Sequence, residues 1–153
     1  MTAVTTSYRV TDQTLVIMPA AHPRYPTKII ETTHAVYSTQ TPLAIVKENC
    51  LRHGSTFEGR RVAVRYHLPF LKRTPIPIHP VASIIASPTK HYRNSDCIWL
   101  FWCHLHRMEA RSKQVTEIYF DQHAPLTIKE SVQSLKLQKE RAGMCATLFR
   151  QWN

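Results

Sequence analysis

Apolar and polar positions change period several times along the chain, and each change marks an element. Residues 8–18, "YRVTDQTLVIM", read as a strand, a polar turn and a second strand that is apolar throughout. "HPRYP" makes a proline-bounded loop, and "TKIIE" and "HAVYS" follow as two short strands. At "TPLAIVKENCLRHG" the period becomes helical. Thr41 is placed to cap the helix, and Pro42 takes the first helical position, where a missing N–H costs nothing. Leu43, Val46, Cys50 and Leu51 form one apolar stripe, and Gly54 stands where a helix ends, predicting a short helix near residues 42–53.

The next stretch, "RRVAVRYHL", alternates. Val62, Val64 and Tyr66 point one way, and Arg61, Ala63, Arg65 and His67 the other, which predicts a strand with a basic outer face. "PFLKRTPIPIHP" holds four prolines and reads as a loop or an edge strand. "ASIIAS" is a short strand, "PTKHYRNSD" a basic turn-rich loop, "CIWLFWCHLHR" a long strand and "QVTEIYF" the last strand. Thr127 with Glu130 suggests a capping box, after which Ile128, Val132, Leu135, Ala142, Cys145, Phe149 and Trp152 recur at helical spacing. Lys139 interrupts that stripe and Gly143 weakens it, so a bend or stop is expected there. Strands first and a long helix last predict an α+β fold, mostly antiparallel, as a single domain over residues 1–153.

Composition narrows the class. A 43% hydrophobic chain carries enough apolar surface for a core. No apolar run approaches the ~20 residues that span a bilayer, and "MTAVTTSYRV" has no basic start and apolar centre of a secretory signal. An intracellular, membrane-free protein is the expectation. Cys50, Cys97, Cys103 and Cys145 are irregularly spaced, which suits reduced thiols better than disulfides.

Charge sharpens the picture. Twenty Lys and Arg stand against ten Asp and Glu, with nine histidines besides. Such an excess is the electrostatic footprint of a nucleic-acid binder. Between Gly59 and Ser95 there is no acidic residue, while Arg60, Arg61, Arg65, Lys72, Arg73, Lys90 and Arg93 all fall there. Ordinary surfaces mix both signs, so this segment predicts a one-sided positive field.

Motifs exclude more than they assign. Gly54 and Gly59 have the spacing of a phosphate-binding loop, but Arg60 and Arg61 follow where that loop needs Lys and then Ser or Thr. The order of elements is also wrong for nucleotide hydrolysis. A glycine turn beside two arginines still suits a DNA phosphate or groove. Cys97, Cys103, His104 and His106 invite a zinc site, yet along one strand the two cysteines stand roughly 20 Å apart, against metal bonds of ~2.3 Å. His104 and His106 share a face and offer two ligands without a signposted third. No catalytic signature appears, and no cofactor is called for. Two other classes stay open: a single-stranded nucleic-acid module stacking bases on Trp99 or Trp102, and a metal protein built on His104 and His106.

Ordered pieces of the chain resemble the ComK family, competence transcription factors of Gram-positive bacteria. They run from "SYRV" and "VIMP" through "KIIE…VY" and "PLAIV…CLRHGSTFEGRR" to "TPIPIHP", "C-I-W" and "H-L-H", over about residues 7–107. The final 46 residues match only weakly. Positions that fit the family pattern are Cys50, Arg52, Gly54, Ser55, Gly59, Arg60, Arg61, Cys97, Trp99, His104 and His106. The resemblance implies an activator without chemistry of its own, which binds paired A/T-rich boxes in double-stranded DNA, largely through the minor groove. It implies a homodimer or dimer of dimers on the promoter, and recruitment or stabilisation of RNA polymerase. Family members are delivered to a Clp protease by the adaptor MecA through an "FMLYP"-like segment that is missing here, so that control is not carried over. Joined to the charge pattern, the resemblance points to Arg52, Ser55, Arg60, Arg61, Arg65, Arg73, Lys90 and Arg93 as DNA-contacting residues.

Overall fold

The computed structural model describes residues 3–151. The chain runs β1 (Ala3–Thr5), β2 (Thr14–Pro19), β3 (Thr27–Glu31), β4 (Ala35–Ser38), α1 (Pro42–Arg52) and α2 (Phe57–His67). There follow β5 (Ile76–His79), β6 (Ile84–Pro88), β7 (Trp99–Leu100), β8 (Leu105–Ser112), β9 (Val115–Phe120), β10 (Leu126–Ile128) and α3 (Val132–Gln151). Seven strands form one sheet in the order β1-β4-β3-β2-β7-β6-β5, and three form another in the order β10-β9-β8. Every pairing is antiparallel except β1 with β4. The α+β, mostly antiparallel expectation holds.

The large sheet is covered on both faces, which explains why β2 is continuously apolar rather than alternating. Ile17, Ile29 and Trp99 pack with Ile45, Val46, Cys50 and Phe57 of the first two helices. Their strand neighbours Val16, Ile30 and Leu100 point the other way, onto Ile118, Phe120 and Ile128 of the small sheet and Leu135 of α3. A third cluster, Val64, Phe70, Ile85, Ala142 and Cys145, joins α2 to α3. No helix among the described residues is long and apolar enough to cross a membrane.

The first helix forms as its sequence predicts. Ala44 N–H donates to Thr41 Oγ1 at 3.2 Å, and Gly54 takes φ +90° just past the end, a conformation costly for any residue with a Cβ. Asn49 is fully buried and ties α1 to the segment before β2: its Oδ1 accepts from Val10 N–H at 2.8 Å, and its Nδ2 donates to Tyr8 O at 2.8 Å and Ile45 O at 2.9 Å.

Residues 60–67, expected as a strand, are helical. Thr56 caps α2, accepting from Gly59 N–H at 2.9 Å, and the buried stripe is Phe57 and Val64, seven apart. Val62 and Tyr66, which made the alternation, lie exposed. A local cap and one helical stripe outweighed a two-residue pattern. Proline-rich residues 76–79 are an edge strand, as expected.

"CIWLFWCHLHR" is not one strand. It contributes two residues to β7, turns at 103–104, and re-enters a different sheet as β8. Residues 8–10 pair in neither sheet, and β10 rather than β9 is the last strand. Thr127 lies in β10, so it caps nothing. Ser131 opens α3 instead, accepting from Ser134 N–H at 3.1 Å, and the helix runs without a stop through Gly143. Trp152 lies outside the described residues.

Candidate nucleic-acid interface

Tyr92, in the loop between β6 and β7, is the hub of the basic face. Its ring packs 5.1 Å from Phe57 and 4.5 Å from His91, centroid to centroid. Two guanidiniums approach the same ring, Arg61 from α2 at 5.3 Å and Arg93 from the loop itself at 5.4 Å. Cations near an aromatic face gain from its negative quadrupole, so both arginines are partly preorganised. Three adjoining recesses of about 360, 400 and 70 Å³ share Tyr92 in their walls. The smallest is bordered by Arg61, Lys72, Arg73 and His91, drawn from three separate segments.

Helix α3 holds one of those segments in place. Gln138 Nε2 donates to Arg73 O at 3.0 Å and Pro88 O at 2.7 Å, while Arg141 Nη1 donates to Lys72 O at 3.0 Å. Arg73 adopts φ +49°, and its Nη1 donates to Ser134 Oγ. Burial and the neighbouring Arg73 charge hold the Arg141 guanidinium below its ordinary pKa. The 71–74 loop is therefore a braced feature that fixes where Lys72 stands. On the inner face of the same helix, Cys145 is buried against Val64, Phe70 and Ile85, and that burial pushes its thiol up to about 12.

The eight expected DNA-contacting residues divide into groups. Arg61 and Arg93 come together on Tyr92, although Arg61 also donates to Glu58 at 3.2 Å, and Arg73 borders the adjoining recess while its guanidinium bonds Ser134. Arg65, one turn further along α2, is exposed. Arg52 and Arg60 gather instead at the end of α1. Arg52 Nη2 lies 2.9 Å from Glu48 and donates to Ser7 Oγ at 2.6 Å, and Arg60 Nη2 donates to His53 O at 2.7 Å. Ser55 donates to Thr56 O at 3.4 Å. Lys90 turns away, pairing with Glu130 at 3.4 Å in a different groove. Reasoning from charge placed Lys72 in the basic segment but missed Tyr92 and His91 beside it. A basic loop containing "KHYR" was the available signal, an aromatic flanked by cations.

The residues behind the alternative readings are placed otherwise. Trp99 is 1% exposed within the core and offers no base-stacking platform, while Trp102 is half-buried and donates to Ser87 Oγ at 3.0 Å. His104 meets Asp12 O at 2.8 Å from the 103–104 turn, and His106 on β8 pairs with Asp121 at 3.8 Å. Among the described residues, no three His, Cys, Asp or Glu side chains gather at metal-binding distance.

Comparison with known proteins gives the chain its relatives. A family model described as "ComK protein" matches residues 5–152. This span includes the C-terminal residues that motif reading had matched only weakly. The competence transcription factor of Bacillus subtilis (strain 168) is 26% identical over 145 residues, which cover 94% of this chain and 76% of that protein. No solved structure matches. With nearly its whole length covered by the family model, the chain belongs to the ComK family.

Proposed function

We propose that this protein is a competence transcription factor that binds duplex DNA through the face centred on Tyr92. The observation that carries this reading is the approach of Arg61, Arg93 and His91 to one aromatic ring, with Lys72 and Arg73 bordering the recess beside it, within a segment free of acidic residues. The similarity to a protein named as a competence transcription factor supports it. Arginines suit the narrow, strongly negative minor groove of A/T-rich DNA better than lysines do. Arg65 extends the footprint along α2, and the braced 71–74 loop supplies a second contact to the backbone. Selectivity then comes largely from groove width and deformability at paired A/T boxes, with two copies of the chain on one site. Activation proceeds through contact with RNA polymerase, without chemistry by this chain.

The test is a binding titration at several salt concentrations on two duplexes of equal length, one with two A/T boxes a helical turn apart and one shuffled. Preference for the boxed duplex that persists at higher salt is the expected result. Arg61→Ala with Arg93→Ala should weaken binding and flatten the salt dependence by about 0.9 in log–log slope for each phosphate no longer neutralised. Equal, salt-fragile binding to both duplexes, or a double variant with an unchanged slope, would sink the assignment.

A further inference from the structure

A second group of basic side chains lies at the end of α1, where Arg60 meets His53. His53 ends α1, and its ring stacks on that of His79 from β5, with centroids 3.9 Å apart and planes 16° from parallel. Arg60 of α2 is fixed against the same residue through the His53 carbonyl, at 2.7 Å. Arg9, ahead of β2, and Arg52 of α1 place two more guanidinium charges within electrostatic reach of His53. The carboxylate of the neighbourhood, Glu48, is occupied by Arg52, Ser7 and Gln40. Among the described residues no carboxylate pairs with Arg60 or Arg9. Cys50 is also close enough to feel Arg60, but burial pushes its thiol up to about 11, so it adds no negative charge near neutrality.

We propose that the His53–His79 stack, with Arg60, Arg9 and Arg52, is a proton-coupled binding site for a phosphate group. Both imidazoles are half-buried, so a small anion can reach them from solvent. Burial first, then the charges of His79, Arg60, Arg9 and Arg52, hold His53 below its ordinary pKa, against the pull of the α1 C-terminus toward the cation. A phosphate oxygen resting on this cluster reverses that balance, because it favours every cation at once. Binding the anion then draws in a proton, and by linkage the affinity rises as pH falls, by up to about tenfold per pH unit for one coupled proton. In the DNA-binding reading, on which this source of the ligand rests, the phosphate is a backbone phosphodiester and duplex affinity becomes acid-enhanced. The same chemistry fits free inorganic phosphate.

The histidine ring resonances of the full chain separate these sources. Dimethyl phosphate, a monoanion throughout the range, would be titrated at pH 7.5 and 5.5 at constant ionic strength, beside inorganic phosphate and a short A/T-rich duplex. His53 and His79 should shift together, with dimethyl phosphate binding about tenfold or more tighter at pH 5.5. His53→Asn with His79→Asn, which keeps the backbone contacts of the α1 cap, should remove the pH dependence while its urea midpoint stays close to that of the parent. Matching shifts with the duplex assign the site to DNA; shifts with inorganic phosphate alone assign it to the free anion. Absence of any shift with all three probes, or affinity independent of pH, overturns the proposal. If the duplex binds tightly while none of the three probes moves either histidine, the proposal falls and the DNA-binding reading stands.

Discussion

Asn49 joins α1 to the chain ahead of β2, and replacing it tests how much that join is worth. Asn49→Ala removes three hydrogen bonds, to Val10 N–H, Tyr8 O and Ile45 O. Ile45 O keeps its place in the helix ladder, so two buried backbone groups are left without a partner. At about 1–3 kcal/mol for each orphaned group the loss is on the order of 3 kcal/mol, before any cavity is counted. With a urea m-value of about 2 kcal/mol/M, the unfolding midpoint should fall by roughly 1.5 M. Asn49→Asp adds a sign test. Its carboxylate still accepts from Val10 N–H, but it donates to Tyr8 O only when protonated. In this buried position its pKa is expected to rise in the folded state, so the variant should be most stable in acid and lose stability as pH climbs through that raised value. A midpoint shift under about 0.5 M for the alanine variant, or an aspartate variant indifferent to pH, would show that the segment before β2 does not depend on this residue.

Glycine substitutions should act with opposite signs at two positions. Gly54→Ala costs about 1 kcal/mol because φ is +90° although a Cβ would meet open space, whereas Gly143→Ala, inside α3 with nothing within 4 Å, gains a few tenths or more; thermal unfolding of both variants checks the pair. Of the four thiols, Cys103 alone is exposed, so a disulfide reagent should label one cysteine quickly and Cys50, Cys97 and Cys145 only on unfolding. Rapid labelling of two or more would contradict the packing. Alkaline stability follows from the same burial. Cys50 and Cys145 are raised from 9.0 to about 11 and about 12, so the folded state keeps protons that the unfolded chain releases. Stability from these groups is intact below pH 9 and should decline as pH rises from there toward 11–12. A urea midpoint that stays level over that interval would refute the linkage.

Local signals were legible wherever one residue type had one job. Thr41, Pro42 and Gly54 framed α1, and the prolines of residues 75–80 marked an edge strand, because caps and missing donors act within a few residues. Helix α2 was misread since its outward face happens to carry Val62 and Tyr66, so alternation appeared where only Phe57 and Val64 are buried. The split of "CIWLFWCHLHR" between two sheets is set by pairing of its first part with β2, far back in the sequence, and with β6, while its second part folds against the adjacent β9. The basic face was visible as charge, but its organisation was not. Tyr92 becomes a hub only after α2 and the β6–β7 loop meet, and the His53–His79 stack needs the edge strand beside the end of α1. Lys90 looked equivalent to Arg93 until Glu130, forty residues away, was found beside it.

The two-residue strand β7 has a consequence for synthesis. Strands β2, β3 and β4 form a local meander, and β5 and β6 a local hairpin, but the sheet joins these halves only when Trp99 and Leu100 slide between β2 and β6. Until then β2, whose Leu15, Val16 and Ile17 are fully buried in the finished sheet, has an open edge. From Pro19 to Trp99 the ribosome adds 80 residues, roughly 4–16 s of translation at ordinary bacterial speeds. During that interval Val16 and Ile17 present unpaired backbone to any neighbouring nascent chain. Slower elongation before residue 99, or loss of a holding chaperone, should therefore lower the yield of native protein without altering its final stability.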